Sequence, residues 1–383
     1  MTHSSRRGAL LHTTALAAVT LAVLAACGSP ASTSASSQGA ATATGAALDT
    51  VKAAKAAVAE FEKVPTKINA TVPLTGKVSS GTYVVIGCEL PQCKVISDGA
   101  TAAARAIGWT VKYLQYATTD GATLTSAMKE ALTYSPIAVS PIGFSQALWT
   151  QLQPDYKAAK VPIVPIAVGD VKNSDVVTLG SSSQVDYGRS GELMANWFTA
   201  DSGAAGKALV MDVPAFAVLK AYGDAFKAKV PQVCKACSLA SLDIAPAQLA
   251  TNGVVPAIIS ALQKDPSINY LVATDGAFLS GLPAAMAAAG ITTVKIAGGA
   301  ADISNSQALV AGTEAAWTLE PTDQFGWVAV DIAARTLLGM PVEQDKILRP
   351  QLLATKDNVG TPANFLAAPT DYQAQYKKLW GMS

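Results

Sequence analysis

From residue 81 onward, short runs of consecutive apolar residues alternate with longer stretches in which apolar positions recur at helical spacing. Tyr83, Val84, Val85 and Ile86 form an unbroken, largely β-branched run between Gly81 and Gly87. Such a run suits a short strand buried on both faces, over 83–87. Val95, Gly99, Ala102, Ala103 and Ile107 then fall on one helical face until Gly108 ends the pattern, which predicts a helix over 94–107. Between them lies Cys88-Glu-Leu-Pro-Gln-Cys93, a loop at the carboxyl end of the strand, where open parallel sheets hold their ligands. The same alternation predicts strands at 110–114, 137–140, 163–167 and 176–179, with helices at 121–132, 145–159 and 188–198. A second set follows, with strands at 208–213, 238–243, 270–273, 294–297 and 315–319 and helices at 217–229, 247–264 and 279–290. The count predicts two similar α/β lobes in tandem. A last helix at 325–338 and a strand near 347–353 complete the chain, and periodicity does not assign them to a lobe.

The pattern before residue 81 is different. Arg6 and Arg7 precede an apolar stretch over 9–26, the charge-then-apolar order of a secretory signal. Leu24-Ala-Ala-Cys27 resembles the lipobox of bacterial lipoproteins, so 1–26 is expected to be a signal peptide and Cys27 the lipidated first residue of the mature chain. Ser5-Arg-Arg-Gly-Ala-Leu-Leu11 is also similar to a twin-arginine export motif, with Ala9 where Phe is usual, so the export route stays open. Residues 27–47, rich in Ser, Ala, Thr and Gly, read as a flexible tether. Over 48–64, Val51, Ala54, Val58 and Phe61 share a face and predict an amphipathic helix stopped by Pro65, before an extended lead-in to residue 80.

Composition narrows the chemistry. The chain has 383 residues, 50% hydrophobic and 14% charged, with net charge +1, enough for two cores and without the basic field that nucleic-acid binding requires. Its only histidines, His3 and His12, fall in the segment expected to be removed, which excludes Ser-His-Asp and Cys-His catalysis and imidazole metal sites from the mature protein. Besides Cys27 there are Cys88, Cys93, Cys234 and Cys237. In an oxidising compartment two local disulfides are the simplest of three connectivities; a redox or zinc centre at Cys234-Lys-Ala-Cys237 is the sharper alternative. No cofactor or metal is expected.

Several strings in order, Asp98-Gly-Ala, Gly108-Trp109, Ser140-Pro141, Lys160-Val-Pro-Ile-Val, Thr274-Asp275 and Asp323-Gln-Phe-Gly326, resemble the type I periplasmic solute-binding proteins, within their ribose-like, sugar-type branch of ABC-transporter receptors. The Cys-x4-Cys loop and the N-terminal helix are similar to receptors of actinobacterial lipoprotein type. The resemblance implies two Rossmann-like doubly wound lobes with a ligand cleft between them. It also implies three crossings, near 180–182, 320–321 and 348, so that 81–180 with 321–347 form one lobe and 181–320 with 348–383 form the other lobe and the tail. Carried over by position, the ligand-facing residues are Glu89, Leu90, Gln92, Ser140, Phe144, Val168, Lys220, Leu242, Thr274, Asp275 and Glu320. Sugar binders of this branch place an acid and an arginine after the fourth strand and an aspartate in a later loop. Here Ala167-Val168 and Gly299 stand there, which points to a less hydroxylated or partly aromatic solute.

Several of these residues have a structural reading as well. Glu89 reads equally as an exposed loop acid, Asp275 as a helix cap and Lys220 as a surface lysine, while Phe144, Phe278 and Trp317 are core or stack on a ring. The resemblance implies a monomeric extracytoplasmic receptor, lipid-anchored to the outer face of the membrane, that hands a small molecule to an ABC permease. A sensory partner of a membrane kinase, or a glycosidase-like enzyme using Glu89 and Glu320, are the other readings.

Overall fold

The computed structural model describes residues 37–319, 321–361 and 368–382. Thr44–Ser383 forms one contact-defined unit, to which the following description applies. Helix α1, Ser37–Val58, begins inside the stretch expected to be a tether and ends before residue 64. The alanines of that stretch explain the difference, because alanine has the highest helix propensity and forms helices without an apolar period.

The first lobe is built on parallel strands β1 (Thr82–Cys88), β2 (Thr110–Tyr116) and β3 (Ala138–Pro141), in the order β2-β1-β3. Tyr83 to Ile86 are fully buried, as the unbroken apolar run requires. Helices α2 (Pro91–Ala106) and α3 (Gly121–Leu132) follow β1 and β2, and Asp120 caps α3 by accepting from the Ala122 amide. The strands expected at 163–167 and 176–179 reduce to isolated bridges, Val139 with Ile163, Ile142 with Ile166, Ile163 with Val177 and Ile166 with Ser181. Pro162 and Pro165 remove amide donors from that ladder, so the apolar run cannot pair as a continuous strand. The expected helix at 145–159 becomes two 3-10 turns and the short α4 (Gln153–Ala159), with Pro154 in its first turn.

The second lobe carries six strands in the order β5-β4-β6-β7-β8-β9: β4 (Lys207–Asp212), β5 (Ser238–Asp243), β6 (Tyr270–Ala273), β7 (Lys295–Gly299), β8 (Ala316–Thr318) and β9 (Leu353–Thr355). All pairings are parallel except β8 with β9. Helices α5 (Gln184–Asp201) and α6 (Ala217–Val233) pack on each other at close range: a Cβ on Gly191 would lie 2.3 Å from the Tyr222 carbonyl oxygen. The helix expected over 247–264 divides into α7 (Pro246–Ala250) and α8 (Val254–Lys264), where Asn252 turns left-handed before Gly253. The helix expected over 279–290 shortens to α9 (Leu282–Ala288), preceded by a 3-10 turn at Gly276–Leu279. Helix α10 (Ile303–Ala311), absent from the sequence expectation, starts with a capping box between Asp302 and Asn305.

The chain passes from the first sheet to α5 over 181–184. It leaves β8 for α11 (Thr322–Leu337), which packs on α2, and returns by α12 (Gln344–Ile347) to β9. The α2–α11 crossing is a glycine contact: Cβ atoms on Gly99 and Gly326 would lie 2.1 Å from the Asp323 carbonyl oxygen and 2.0 Å from the Ala100 nitrogen. The tail, expected with the second lobe, instead lays α13 (Tyr372–Leu379) and Trp380 against Trp327 of α11, because its aromatic residues find an apolar face there.

Candidate functional site

The loop after β1 is held at both ends. A disulfide joins Cys88 to Cys93, and Pro91 starts α2, so Leu90 and Gln92 project from a short closed ring. Cys234 and Cys237 form the second disulfide, just before the amino end of β5 and so at the end of the strand remote from the ligand-type loops. Opposite the Cys88–Cys93 ring stands Asp275, on the loop after β6. Gln92 Nε2 donates to Asp275 Oδ1 at 3.0 Å, a hydrogen bond from lobe to lobe. The same oxygen accepts from the Ala277 amide at 3.0 Å, so Asp275 both caps its own 3-10 turn and bridges the cleft.

Beside this bridge is an apolar chamber of about 50 Å³. The first lobe supplies Leu90, the disulfide, Ile96 and Ile142; the second supplies Phe216, Val218, Leu219 and Phe278. Polar atoms come from Gln92, Asp275, Tyr187 and Thr322, the last at the start of α11. At the chamber's edge Phe144 stacks on Phe216 across the lobes, with centroids 5.6 Å apart and planes at 17°. Gly143 is left-handed (φ 93°), and a Cβ there would sit 2.9 Å from Tyr116 Oη, so glycine is needed for both backbone and space. A Cβ on Gly169 would meet Ala217 at 2.7 Å, a measure of how nearly the lobes touch. Non-glycine left-handed residues occur at Ala167 (φ 54°) and at Ser182 (φ 58°) in the passage between lobes. Each conformation costs on the order of 1 kcal/mol and needs the surroundings to hold it. Ser181 Oγ supplies one such hold by donating to the Phe325 carbonyl at 2.7 Å.

Of the residues singled out from sequence, Leu90, Gln92 and Asp275 are brought together at the chamber, with Phe144 at its edge. Val168 is buried next to Ala167, which lines the chamber. Glu89 is exposed and turned toward the neighbouring loop, where its carboxylate accepts from the Thr118 amide at 3.0 Å and the Thr118 hydroxyl at 2.5 Å. Ser140 is fully buried, and its hydroxyl is hydrogen-bonded to Tyr83 Oη at 2.5 Å within the sheet. Lys220 is exposed on α6 and paired with Asp224; Leu242 is half-buried on edge strand β5. Thr274 is buried beside Asp275, and Trp317 is core, donating Nε1 to Glu314 at 2.8 Å. Phe278 lines the chamber. Cys27 and Glu320 lie outside the described residues.

Phe216, Val218, Leu219, Ile96 and Ile142 were not singled out from sequence, although Phe216 and Ile142 follow the carboxyl ends of β4 and β3 and the other three lie on the helices after β4 and β1. Position after a strand was the available signal; which side chain turns inward was not in it. Asp212, at the end of β4, also went unremarked. It is buried, burial raises its carboxyl above the ordinary range, and Lys227 at 3.4 Å partly offsets the rise.

Asp275 is the ionisable group of the chamber. Burial pushes its carboxyl up to about 8, the nearby Asp302 adds to the rise, and the bonds from Ala277 and Gln92 oppose it. An acid whose native pKa lies above its unfolded value favours folding least when ionised, so native stability falls as pH rises through the interval from about 4 to about 8. Asp275→Asn removes that fall. Urea midpoints between pH 5 and 8 should show the variant gaining on the wild type by up to about 1.4 kcal/mol per pH unit. Parallel pH curves for the two proteins would rule out a buried, protonated Asp275.

The geometry defines a class before any comparison: two α/β lobes with strand carboxyl ends turned to a common cleft, the two-lobed fold of type I periplasmic binding proteins. No family model and no curated protein matches the chain. Solved structures do. A 5-methylthioribose transporter solute-binding protein from Thermotoga lettingae, in complex with 5-methylthioribose, superposes with a TM-score of 0.65 at 17% identity, covering 78% of this chain and 93% of that one. GanP, a glucose-galactose binding protein from Geobacillus stearothermophilus, gives 0.63 at 17% identity over 74% of this chain and 99% of its own. A carbohydrate transporter solute-binding protein from Agrobacterium radiobacter, in complex with D-arabinose, gives 0.62 at 20% identity over 76% and 99%. At these identities the likeness is one of fold.

Proposed function

We propose that this protein is an extracytoplasmic receptor, lipid-anchored through Cys27, that closes on a small solute and delivers it to an ABC importer. The observation that carries the reading is the Gln92–Asp275 bridge over a chamber whose two walls come from different lobes. A solute in that chamber touches both walls only when the lobes are together, so its binding energy is a closing energy. The structural neighbours include ABC-transporter solute-binding proteins, which supports the same reading. Two disulfides fit an oxidising, exported environment. The chamber's apolar walls favour a solute less hydroxylated than a hexose.

The test is a thermal-shift screen over pentoses, hexoses, polyols, nucleosides, aromatic acids and amines. A true ligand present at about 100 times its Kd stabilises the native state by about 2.7 kcal/mol. The expected result is a clear rise in melting temperature for one chemical class with no chemical change in the solute. Turnover of a glycoside, or no shift from any class, would remove the receptor reading.

A further inference from the structure

The Gln92–Asp275 bridge divides the cleft into two spaces. One is the apolar chamber of about 50 Å³; the other, of about 520 Å³, is bounded by Leu249, Asn252, Val255 and Asp302. Leu90, Gln92 and Phe278 border both spaces. The chamber alone is far below the several hundred Å³ that small-molecule sites usually offer, so a guest needs Gln92 to swing aside and join the two. Gln92 therefore stands where part of the guest must go, and its chemistry is informative: an apolar stem that ends in an N–H donor to a buried carboxylate.

The charges around Asp275 narrow the guest further. Asp275 is 5% exposed, and on its own turn it receives the Ala277 amide. From the first lobe it faces Gln92, and from the start of α10 it faces a second acid, Asp302. Glu314, further along, is occupied by Asn305 and Trp317. Among the described residues, no lysine or arginine lines either space. Lys94 of α2 and Lys220 and Lys227 of α6 are each paired with an aspartate, Asp98, Asp224 and Asp212 respectively. A buried carboxylate with an acid for a neighbour and no base is costly to ionise, and a guest that brings a cation offsets that cost. A polyhydroxylated guest would instead press most of its hydroxyls against Ile96, Ile142, Phe216 and Leu219, where they lose their water partners and gain none.

We propose, resting on the receptor reading, that the solute is an amine with a largely apolar body, whose ammonium replaces Gln92 on Asp275 while the body fills the chamber. Because the ammonium pairs with ionised Asp275, and Asp275 in the closed, empty cleft holds its proton to about pH 8, binding releases that proton and strengthens as pH rises.

Calorimetric titration of the detergent-solubilised full-length protein with 2-phenylethylamine and n-hexylamine, against 2-phenylethanol, n-hexanol and D-ribose, tests this. The amines should bind at least about tenfold more tightly than the matched alcohols, and their affinity should rise up to about tenfold from pH 6 to pH 7. Asp275→Asn should abolish both the preference and the pH dependence, while Gln92→Ala, which removes the competing donor, should tighten amine binding. Absence of amine binding, equal binding of alcohol and amine, tighter binding of ribose, or amine affinity unchanged in Asp275→Asn would each overturn the amine class. Those results leave the receptor reading standing as long as some class of solute in the broader screen raises the melting temperature.

Discussion

Gly326→Val is expected to destabilise the protein by at least about 3 kcal/mol, because it forces apart two helices that meet backbone to backbone. A Cβ at position 326 would lie 2.0 Å from the Ala100 nitrogen and 2.4 Å from its Cα. The reciprocal Cβ at Gly99 would lie 2.1 Å from the Asp323 carbonyl oxygen. Neither neighbour is a side chain that could rotate away. The helices must separate, and with them the start of α11, where Thr322 borders the chamber and Phe325 accepts from Ser181. Solute binding should therefore fall with stability. Gly76→Ala is the control: its Cβ would meet only Leu338 Cδ2, at 4.0 Å, and its urea midpoint should stay within about 0.5 kcal/mol of wild type. A Gly326→Val midpoint equal to that of the control would contradict the close crossing.

Trp380→Ala should cost about 3–5 kcal/mol, the usual range for removing a packed tryptophan. Trp380 stacks on Trp327 with centroids 5.4 Å apart and planes at 6°, and Tyr376 packs on both rings. Its Nε1 donates at 2.9 Å to Asp331 Oδ1, which also holds Arg335 in a buried ion pair. Truncation thus opens a cavity and removes a donor from a buried carboxylate. Trp380→Phe keeps the stack and loses the donor, so it should recover most of the stability, leaving a deficit of about 1–3 kcal/mol. If Trp380→Ala unfolds at the wild-type midpoint, the tail does not stabilise the first lobe.

The parts of the fold readable in the sequence were those in which burial alone sets the pattern. Tyr83 to Ile86 and Tyr270 to Ala273 are buried on every side, and a buried parallel strand is a continuous apolar run. Elsewhere a second constraint decided. At 163–167 the residues are as apolar as any strand, but Pro162 and Pro165 cannot donate to a ladder. Helix α10 escaped notice because Ile303 and Val310 are exposed and blur its apolar face; its Asp302–Asn305 capping box was the available signal. Tail helix α13 is mostly Lys, Gln and Tyr, and its apolar partner lies on α11, distant in sequence.

Within the site, Leu90, Gln92 and Asp275 were legible through the resemblance, which carried them over from the loops after the first strand and after a lobe-two strand. Ser140 occupies an equally suggestive place at the end of β3, yet its hydroxyl is spent on Tyr83 inside the sheet. A strand's carboxyl end is legible in a sequence; the direction of one side chain there depends on register with its neighbours. The apolar wall of Phe216, Val218 and Leu219 is a property of two lobes brought together, and no single stretch carries it.

The most direct measurement is the distance between the lobes in solution. Spin labels at Lys129→Cys on α3 and Lys264→Cys on α8, both exposed positions on opposite lobes, report it by pulsed dipolar spectroscopy. A receptor that shuts over its guest predicts a longer and a shorter population in the empty protein, with saturating solute collapsing them onto the shorter one and Gln92→Ala moving the empty protein toward the longer. One unchanging distance, with and without a solute that demonstrably binds, would contradict closure.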